Sequence, residues 1–192
     1  MNRETNHPYP DTYNEIIKAT QISGFTMASD ILTCSLLRTL AASKPSSKFL
    51  ELGTGTGLST AWILNGLDQN SSIISIDNDE KFLEIARKFL ETDKRLKLIN
   101  ADAGDWIEKN KFLKFDFIFA DTWQGKYLYL DEALTMLNKG GLYIIDDMLP
   151  QPNWPAGHHE KATQLIIELE LREDLYLTKQ SWATGIIIAV KK

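Results

Sequence analysis

The sequence predicts an α/β fold: a doubly wound, seven-stranded and mostly parallel sheet with helices on both faces and a C-terminal antiparallel hairpin. Two observations support this prediction. From residue 48 onward, short apolar strands alternate with helical segments, which is typical of a parallel sheet covered on both faces. The last two strands are separated by only a few residues, which is too short for a helical crossover, so we expect them to pair antiparallel.

The individual elements follow from apolar spacing. Two amphipathic helices are predicted before the sheet, over 11–22 and 26–42, and Pro45 with two serines then breaks the chain. The run GIIIAV is apolar on both faces and predicts an interior strand, with 174–179 at the sheet edge. The other predicted strands are 48–52, 72–77, 95–100, 115–121 and 142–147, and the helices are 58–68, 80–91, 103–110, 126–138 and 159–172, with 126–138 ending at Gly140-Gly141.

Composition indicates one globular domain over 1–192, in which 1–25 serve as a lid or as a dimerisation segment of a homodimer. The net charge of −5 argues against a nucleic-acid surface as the main function. No apolar run reaches the roughly 18–20 residues that span a bilayer, and residues 1–16 lack the pattern of a signal peptide. The single cysteine, Cys34, excludes an intramolecular disulfide and is predicted to lie in the core, so a cytoplasmic protein is expected.

The stretch LELGTGTGLST, residues 50–60, forms a glycine-rich turn from strand to helix, where backbone N–H groups can approach a ligand. Gly53 and Gly55 fit the dinucleotide pattern G-x-G-x-x-G, but Leu58 stands where its third glycine belongs. Glu51, two residues before the first glycine, would repel a pyrophosphate and would suit a positively charged ligand such as a sulfonium. The loop therefore favours a cationic ligand over NAD.

Acidic residues follow the next two strands. Asp77 ends the second strand, where a carboxylate can accept both hydroxyls of a ribose, although NAD enzymes use the same device. Asp102 follows the third strand and can accept a hydrogen bond from an exocyclic amine such as that of adenine. For each aspartate taken singly, a solvated loop carboxylate or a helix N-cap is the alternative.

From about residue 26 to 190 the sequence resembles the Rossmann-like, class I S-adenosylmethionine-dependent methyltransferases. ELGTGTGLS is similar to their first motif, ISIDN to their second and NADAG to their adenine-side segment. The resemblance implies that the glycine loop and Ser59 surround the methionine part, that Asp77 binds the ribose and that Asp102 lies near adenine. The implied cofactor residues are Met27, Glu51, Gly53, Gly55, Gly57, Ser59, Asp77, Asn78, Asp102, Ala103, Asp121, Thr122 and Trp123.

The segments FADTWQGKY (119–127) and YIIDD (143–147) are similar to the catechol and caffeoyl-CoA O-methyltransferase group. In that group the matching positions hold a divalent cation, which implies that Asp121, Asp146 and Asp147 bind Mg²⁺, or Ca²⁺ or Mn²⁺. Converging carboxylates also repel one another unless a cation or basic group neutralises them. The alternative is that no metal binds, that Asp121 binds the cofactor ammonium and that Asp146 is a structural cap.

The sequence departs from this group at the position of its catalytic lysine, which is Gln124, and glutamine cannot act as a general base. Lys126 falls where the group usually has a basic residue of another role. A base must then come from elsewhere, and His158 and His159 in the long loop after the fifth strand titrate near neutrality. The predicted catalytic residues are Asp121, His158 and His159; the alternative for the histidines is a solvated surface loop.

The leading hypothesis is therefore a methyltransferase that acts on a hydroxyl of a small molecule. Trp123 and Trp154, with Tyr127, suggest a flat and partly apolar acceptor, whereas Trp62 and Trp106 are predicted to pack in the core. The role of Trp182, as a dimer contact or a substrate contact, stays open. The alternatives are a metal-independent N- or C-methyltransferase on the same fold, or a non-catalytic protein that binds S-adenosylmethionine.

Overall fold

The structure, a computed structural model, describes residues 9–151 and 154–192. Their strands form one seven-stranded sheet in the order β3-β2-β1-β4-β5-β7-β6, in which β7 pairs antiparallel with β5 and β6 and the other pairs are parallel. The predicted fold class is confirmed, including the interior position of β7 and the edge position of β6. The strands are β1 Lys48–Leu52, β2 Ser72–Asp77, β3 Leu96–Asn100, β4 Phe115–Ala120, β5 Leu137–Ile145, β6 Leu175–Gln180 and β7 Ile186–Lys191.

Helices cover both faces of the sheet, because side chains alternate in direction along each strand. The helices are α1 Tyr13–Ser23, α2 Ile31–Ala42, α3 Leu58–Gly66, α4 Glu80–Leu90, α5 Ala103–Asn110, α6 Leu130–Met136 and α7 His158–Glu170. Leu50 and Leu52 of β1 belong to the core under α5, α6 and α7, whereas Phe49 belongs to the core under α1, α2 and α3. Among the described residues, no helix is long and apolar enough to cross a membrane.

Two predicted helices have bounds that differ from those in the structure. The second helix begins at Ile31 rather than at residue 26, because the side chain of Asp30 accepts a hydrogen bond from the backbone N–H of Leu32 and caps the helix there. The helix predicted over 126–138 spans only Leu130–Met136, and β5 begins at Leu137 rather than at residue 142, with a register irregularity opposite β4. The first correction places residues 26–30 outside the helix, and together with Phe25 they line a cleft at the edge of the sheet.

The segment predicted as a lid or dimerisation segment, 1–25, falls partly outside the described residues, since residues 1–8 are not among them. The described part contains α1, which contacts α3 and α4. The Thr20 hydroxyl is hydrogen-bonded to that of Thr56 at 2.7 Å, and Lys81 Nζ donates to the carbonyl oxygen of Ser23 at 3.2 Å. These contacts hold α1 beside the glycine-rich turn.

The predicted packing residues lie in the core. Cys34 and Trp62 are fully buried, and Trp106 is buried against Phe115. Trp182, whose role the sequence left open, packs against the cluster beneath α2 and α3.

Candidate functional site

A cleft of about 530 Å³ lies at the carboxyl ends of the parallel strands, which is where open α/β sheets bind ligands. The loops after β1, β2, β4 and β5 form its floor, and residues 25–30 and the start of α7 form its walls. Of the residues that the sequence assigned to a site, those that line the cleft are Met27, Gly53, Gly55, Ser59, Asp77, Asn78, Asp121, Thr122, Trp123, Asp146, Asp147 and His158.

The glycine loop after β1 brings backbone close to the start of the loop after β4. Gly53 has a φ of +102°, and a Cβ atom built there would lie 2.7 Å from the carbonyl oxygen of Asp121. The N–H of Gly55 donates to Asp77 Oδ2 at 2.7 Å, and the N–H of Asp79 donates to Asp77 Oδ1 at 2.9 Å. These bonds orient the Asp77 carboxylate at the cleft wall, and each of its oxygens keeps lone pairs for a ligand.

Glu51 does not line the cleft, contrary to the sequence expectation that its carboxylate faces a cationic ligand. It is fully buried and accepts hydrogen bonds from the hydroxyls of Ser59 at 2.7 Å, Thr60 at 2.5 Å and Ser75 at 2.5 Å. Burial raises the pKa of Glu51 to about 7. The carboxylate therefore ties α3 to β1 and β2, and it bears on the cleft through Ser59.

Gly57 is also absent from the cleft lining, because its place is at the junction with α4. A Cβ atom at Gly57 would lie 2.8 Å from the Cβ of Ala86 and 2.9 Å from Cδ1 of Leu90. Gly57 is the N-cap residue of α3 and has a left-handed φ of +89°. This glycine permits helix packing rather than ligand approach.

Asp102 is the N-cap of α5, since its Oδ1 accepts the backbone N–H of Asp105 at 3.0 Å. Its Oδ2 accepts a hydrogen bond from Nε2 of Gln124 at 3.1 Å, and Oε1 of Gln124 accepts the Thr122 hydroxyl at 3.1 Å. Neither Asp102 nor the buried Ala103 lines the cleft. In this structure the Gln124 amide is hydrogen-bonded to the segment NADAG, residues 100–104.

Asp121 and Asp146 are held by neighbours from distant loops. Asp121 Oδ2 accepts the Ser29 hydroxyl at 3.0 Å, and Asp146 Oδ1 accepts the Thr184 hydroxyl. Burial raises the pKa of Asp121 well above its usual range, while the charge of Lys126 opposes the rise. Burial and the neighbouring Asp147 raise the pKa of Asp146 to about 6.

Lys126 is the basic group of this cluster. Its side chain is 6% exposed, and its Nζ lies 3.5 Å from Asp121 Oδ1. The same nitrogen donates to the carbonyl oxygen of Asp146 at 2.9 Å. Among residues 9–151 and 154–192, no group of three or more His, Cys, Asp or Glu side chains is arranged to hold a metal ion. As positioned, the residues Asp121, Asp146 and Asp147 do not fit a divalent cation, because an ammonium already lies against two of these residues.

His158 is the first residue of α7, and its ring stands among aromatic side chains. It stacks on Trp154 with ring centroids 4.3 Å apart and meets Trp123 and Tyr127 edge-on. Its Nε2 is hydrogen-bonded to the Tyr127 hydroxyl at 3.1 Å, and burial lowers its pKa. His159 is exposed and lies outside the cleft, because adjacent helical residues point in different directions. Of the two predicted histidines, only His158 is at the site.

The family model described as O-methyltransferase matches residues 9–181, which is most of the chain. The chain belongs to the O-methyltransferase family. This membership confirms the resemblance drawn from the motifs around residues 50–60, 72–78 and 119–127.

Relatives within this O-methyltransferase family are distant. The chain is 30% identical over 112 residues to catechol O-methyltransferase B of Danio rerio, which covers 53% of the chain and 42% of that protein. It is 28% identical over 116 residues to a Mycobacterium tuberculosis protein named "Probable O-methyltransferase", covering 58% and 52% of the two. The matched stretches thus span about half the length of these curated relatives.

Two solved O-methyltransferases show the shared fold. That of Bacillus cereus, in complex with SAH, superposes with a TM-score of 0.83 at 22% identity, covering 96% of this chain and 92% of that one. TomG of Streptomyces achromogenes, in complex with SAM, has a TM-score of 0.81 at 19% identity, covering 96% and 91%.

Several cleft residues of this O-methyltransferase family member were missed by sequence reasoning. Phe25, Ser29, Gln151 and Thr184 line the cleft from segments far apart in the chain. The helix predicted over 26–42 hid Ser29, and the N-cap pattern at Asp30 was the signal that would have revealed the loop. No comparable signal marks Thr184, which reaches Asp146 across 38 residues.

Proposed function

We propose that this chain transfers a methyl group from S-adenosylmethionine to a hydroxyl of a small, flat molecule. The observation that carries the proposal is that a glycine-and-carboxylate wall and an aromatic wall with a histidine meet in one cleft. Membership of the O-methyltransferase family supports it, as do the relatives of this fold that were solved with SAH and with SAM. The acceptor side is inferred from the chemistry of the second wall.

The residues present fit S-adenosylmethionine. Gly53 and Gly55 let backbone approach a ligand closely, and Asp77 offers oriented lone pairs that suit a ribose diol. We infer further contacts from Met27, Ser59, Asn78, Asp121, Thr122 and Trp123, which line the same cleft. Glu51, Gly57, Asp102 and Ala103 do not line this cleft, and of these Glu51 and Gly57 hold the start of α3 in place.

When bound, S-adenosylmethionine supplies a methyl group already activated on a sulfonium. The chain must then hold the acceptor in line with that methyl group, and proximity and orientation alone can contribute about 7–11 kcal/mol. Trp123, Trp154 and Tyr127 provide the aromatic surfaces for this task. No step of the proposal passes through a divalent cation, because Lys126 lies against Asp121 and Asp146.

The acceptor hydroxyl must lose its proton as the new bond forms. We assign that proton to His158, which lines the cleft and whose lowered pKa keeps it neutral, and so able to accept a proton, at neutral pH. Within the described residues Nδ1 is buried and has no hydrogen-bond partner, so with Nε2–H donated to the Tyr127 hydroxyl its lone pair is unused, and the acceptor hydroxyl must enter beside the ring to reach it. With this assignment, His158 takes the role of the family's catalytic lysine, whose position is occupied by Gln124 in this chain.

The first experiment separates the donor from its competitors. S-adenosylhomocysteine should raise the melting temperature of the purified chain, whereas NAD should leave it unchanged. A shift with NAD alone, or with neither ligand, would count against the donor assignment.

The second experiment separates the reaction classes. Labelled S-adenosylmethionine is offered with catechols, phenolic acids, aliphatic alcohols and aryl amines, and the methylated atom is identified. Methylation of amines but not hydroxyls would establish the N-methyltransferase alternative. Binding of S-adenosylhomocysteine without transfer to any acceptor would favour a non-catalytic protein. We also propose a cytoplasmic location and a single domain in which 1–25 serve as a lid or as a dimerisation segment of a homodimer.

A further inference from the structure

Three aspartates stand at the ends of β4 and β5, and their charges act on one another. The Asp121 carboxyl is 12% exposed, and it feels the charges of both Asp146 and Asp147. Removing several like charges from water is costly unless a positive group lies among them. The fold must therefore supply a positive group at this edge of the sheet or admit one from solution.

Lys126 supplies that charge from within the chain. Its Nζ is paired with Asp121 at 3.5 Å and donates to the main-chain oxygen of Asp146 at 2.9 Å, so one nitrogen joins the loop after β4 to the loop after β5. An ammonium carries three N–H groups, and Lys126 also lines the cleft. The same cation can thus neutralise the carboxylates and face a bound acceptor.

The backbone around Lys126 is fixed by tight packing. Gly125 has a φ of +85°, and a Cβ atom there would lie 2.6 Å from Cδ1 of Leu52. The Tyr143 hydroxyl donates to the carbonyl oxygen of Gly125 at 2.6 Å, and the N–H of Gly125 donates to the carbonyl oxygen of Leu128 at 2.7 Å. These contacts with β1 and β5 fix the backbone next to Lys126, so that its side chain reaches Asp121 and Asp146.

We propose that the Lys126 ammonium takes the place of a divalent cation between Asp121 and Asp146, so that methyl transfer by this chain needs no added metal. The part concerning transfer rests on the proposed function; the part concerning the ion does not. Lys126 is a positioning residue, since it acts through the two aspartates. Its removal should convert the cluster into one that accepts a divalent cation.

The test measures Mn²⁺ binding by electron paramagnetic resonance. It uses full-length protein that has been treated with a chelator and that contains no methyl donor or acceptor. Wild type and Lys126→Arg keep the positive charge and should not bind Mn²⁺ at this cluster. Lys126→Ala should bind Mn²⁺ at least about ten-fold more tightly than wild type, and adding Asp121→Asn should abolish the gain. Lys109→Ala, at an exposed position on α5, is the matched control and should resemble wild type.

Two results would overturn the proposal: Mn²⁺ binding by wild type that Asp121→Asn removes, or a folded Lys126→Ala that gains no Mn²⁺ site. If Lys126→Ala fails to fold, the wild-type titration alone retains the power to refute. In the transfer assay, EDTA should leave wild-type activity unchanged, and Mn²⁺ should restore activity to Lys126→Ala but not alter wild type. Absence of transfer to every acceptor would refute the proposed function while leaving the Mn²⁺ result to stand by itself.

Discussion

The loop after β1 and the loop after β4 come within van der Waals contact, since a Cβ atom at Gly53 would lie 2.7 Å from the carbonyl oxygen of Asp121, yet they are built differently. The first, on the proposed donor side, is shaped by glycine backbone and by a carboxylate held by two N–H groups. The second, on the proposed acceptor side, is shaped by side chains: buried Lys126 and partly buried Tyr127, which is hydrogen-bonded to His158 of α7. The backbone conformation of the first loop tolerates few residue types, whereas the placement of side chains in the second depends on partners throughout the fold.

The largest expected effect on methyl transfer comes from the acceptor side. His158→Ala should lower kcat by about 10²–10⁴-fold, the usual contribution of a general base, while S-adenosylhomocysteine still binds. His159→Ala is the matched control, because His159 is the next residue on α7 but is exposed, and it should retain wild-type kcat. A His158→Ala enzyme that keeps its activity would remove histidine from the chemistry.

The pH profile tests the same residue without mutation. Because burial lowers the pKa of His158 below 6.5, the proton-accepting neutral form should dominate from a lower pH than for an ordinary histidine. The kcat of wild type should therefore rise with pH and reach its plateau with a midpoint below 6.5. A midpoint well above that value would assign the proton to another group.

The next effect, from the donor side, is produced by Gly53→Ala. The added Cβ would press on backbone, which cannot move aside as a flexible side chain can, and the φ of +102° is strained for alanine. We expect a loss of roughly 1–3 kcal/mol in folding stability and a weaker thermal shift with S-adenosylhomocysteine. Gly140→Ala separates the two causes, because Gly140 has a φ of +73° with no heavy atom within 4 Å of the added Cβ. If the two variants bind S-adenosylhomocysteine equally well, the close approach at Gly53 does not shape the donor side.

A smaller effect is expected at Trp154. Trp154→Leu removes the ring that stacks on His158 but keeps an apolar surface. The KM for an aromatic acceptor should rise by about ten-fold or less, in line with one stacking contact, while binding of S-adenosylhomocysteine stays unchanged. Exposed Trp123 differs in that it should affect both ligands, because it lies at the predicted adenine side as well. Equal effects of Trp154→Leu on both ligands would contradict a division of the cleft into donor and acceptor sides.

The geometry of the proposed donor side was largely predictable from sequence, and that of the proposed acceptor side was not, for physical reasons. Local backbone geometry requires Gly53, Gly55 and Asp77, so the spacing of these residues alone predicts the turn. The position of Lys126 depends on Leu52 and Tyr143, which lie on other strands and fix the Gly125 turn. Gln124 marked a departure from the family pattern, but the sequence offered no sign of what its amide would contact.

Glu51 shows a further limit of prediction from sequence. Its location in β1 was predicted correctly, but the direction in which its side chain points was not. β1 is buried on both faces, so its apolar pattern gave no sign of the side to which Glu51 points. Phe49, two residues earlier, shares its face and belongs to the core beneath α2 and α3. The carboxylate therefore meets the hydroxyls of α3 and β2 and does not meet a ligand.

The smallest expected effect on transfer, and the one that most sharply tests the donor side as a structural unit, comes from Glu51→Gln. The pKa of Glu51 is raised from 4.5 to about 7 in the folded chain, so the folded state binds its proton more tightly than the unfolded state does. This contribution to stability is complete below pH 4.5 and is lost as pH rises through about 7. The loss is on the order of 3 kcal/mol in the free energy of unfolding.

The side chain of Glu51→Gln cannot titrate, so this variant does not suffer the loss. Its free energy of unfolding, measured by urea denaturation, should therefore rise relative to that of wild type as pH increases from 4.5 to 8. The slope of the difference against pH is the test, because the constant offset also depends on how Ser59, Thr60 and Ser75 rearrange around an amide. Glu84→Gln, at an exposed site on α4, should show no such slope. A flat difference for Glu51→Gln would mean that the carboxyl ionises at little cost inside the fold, and that water or a cation reaches it. Glu51 would then again be a candidate to face a positively charged ligand, as the sequence alone suggested.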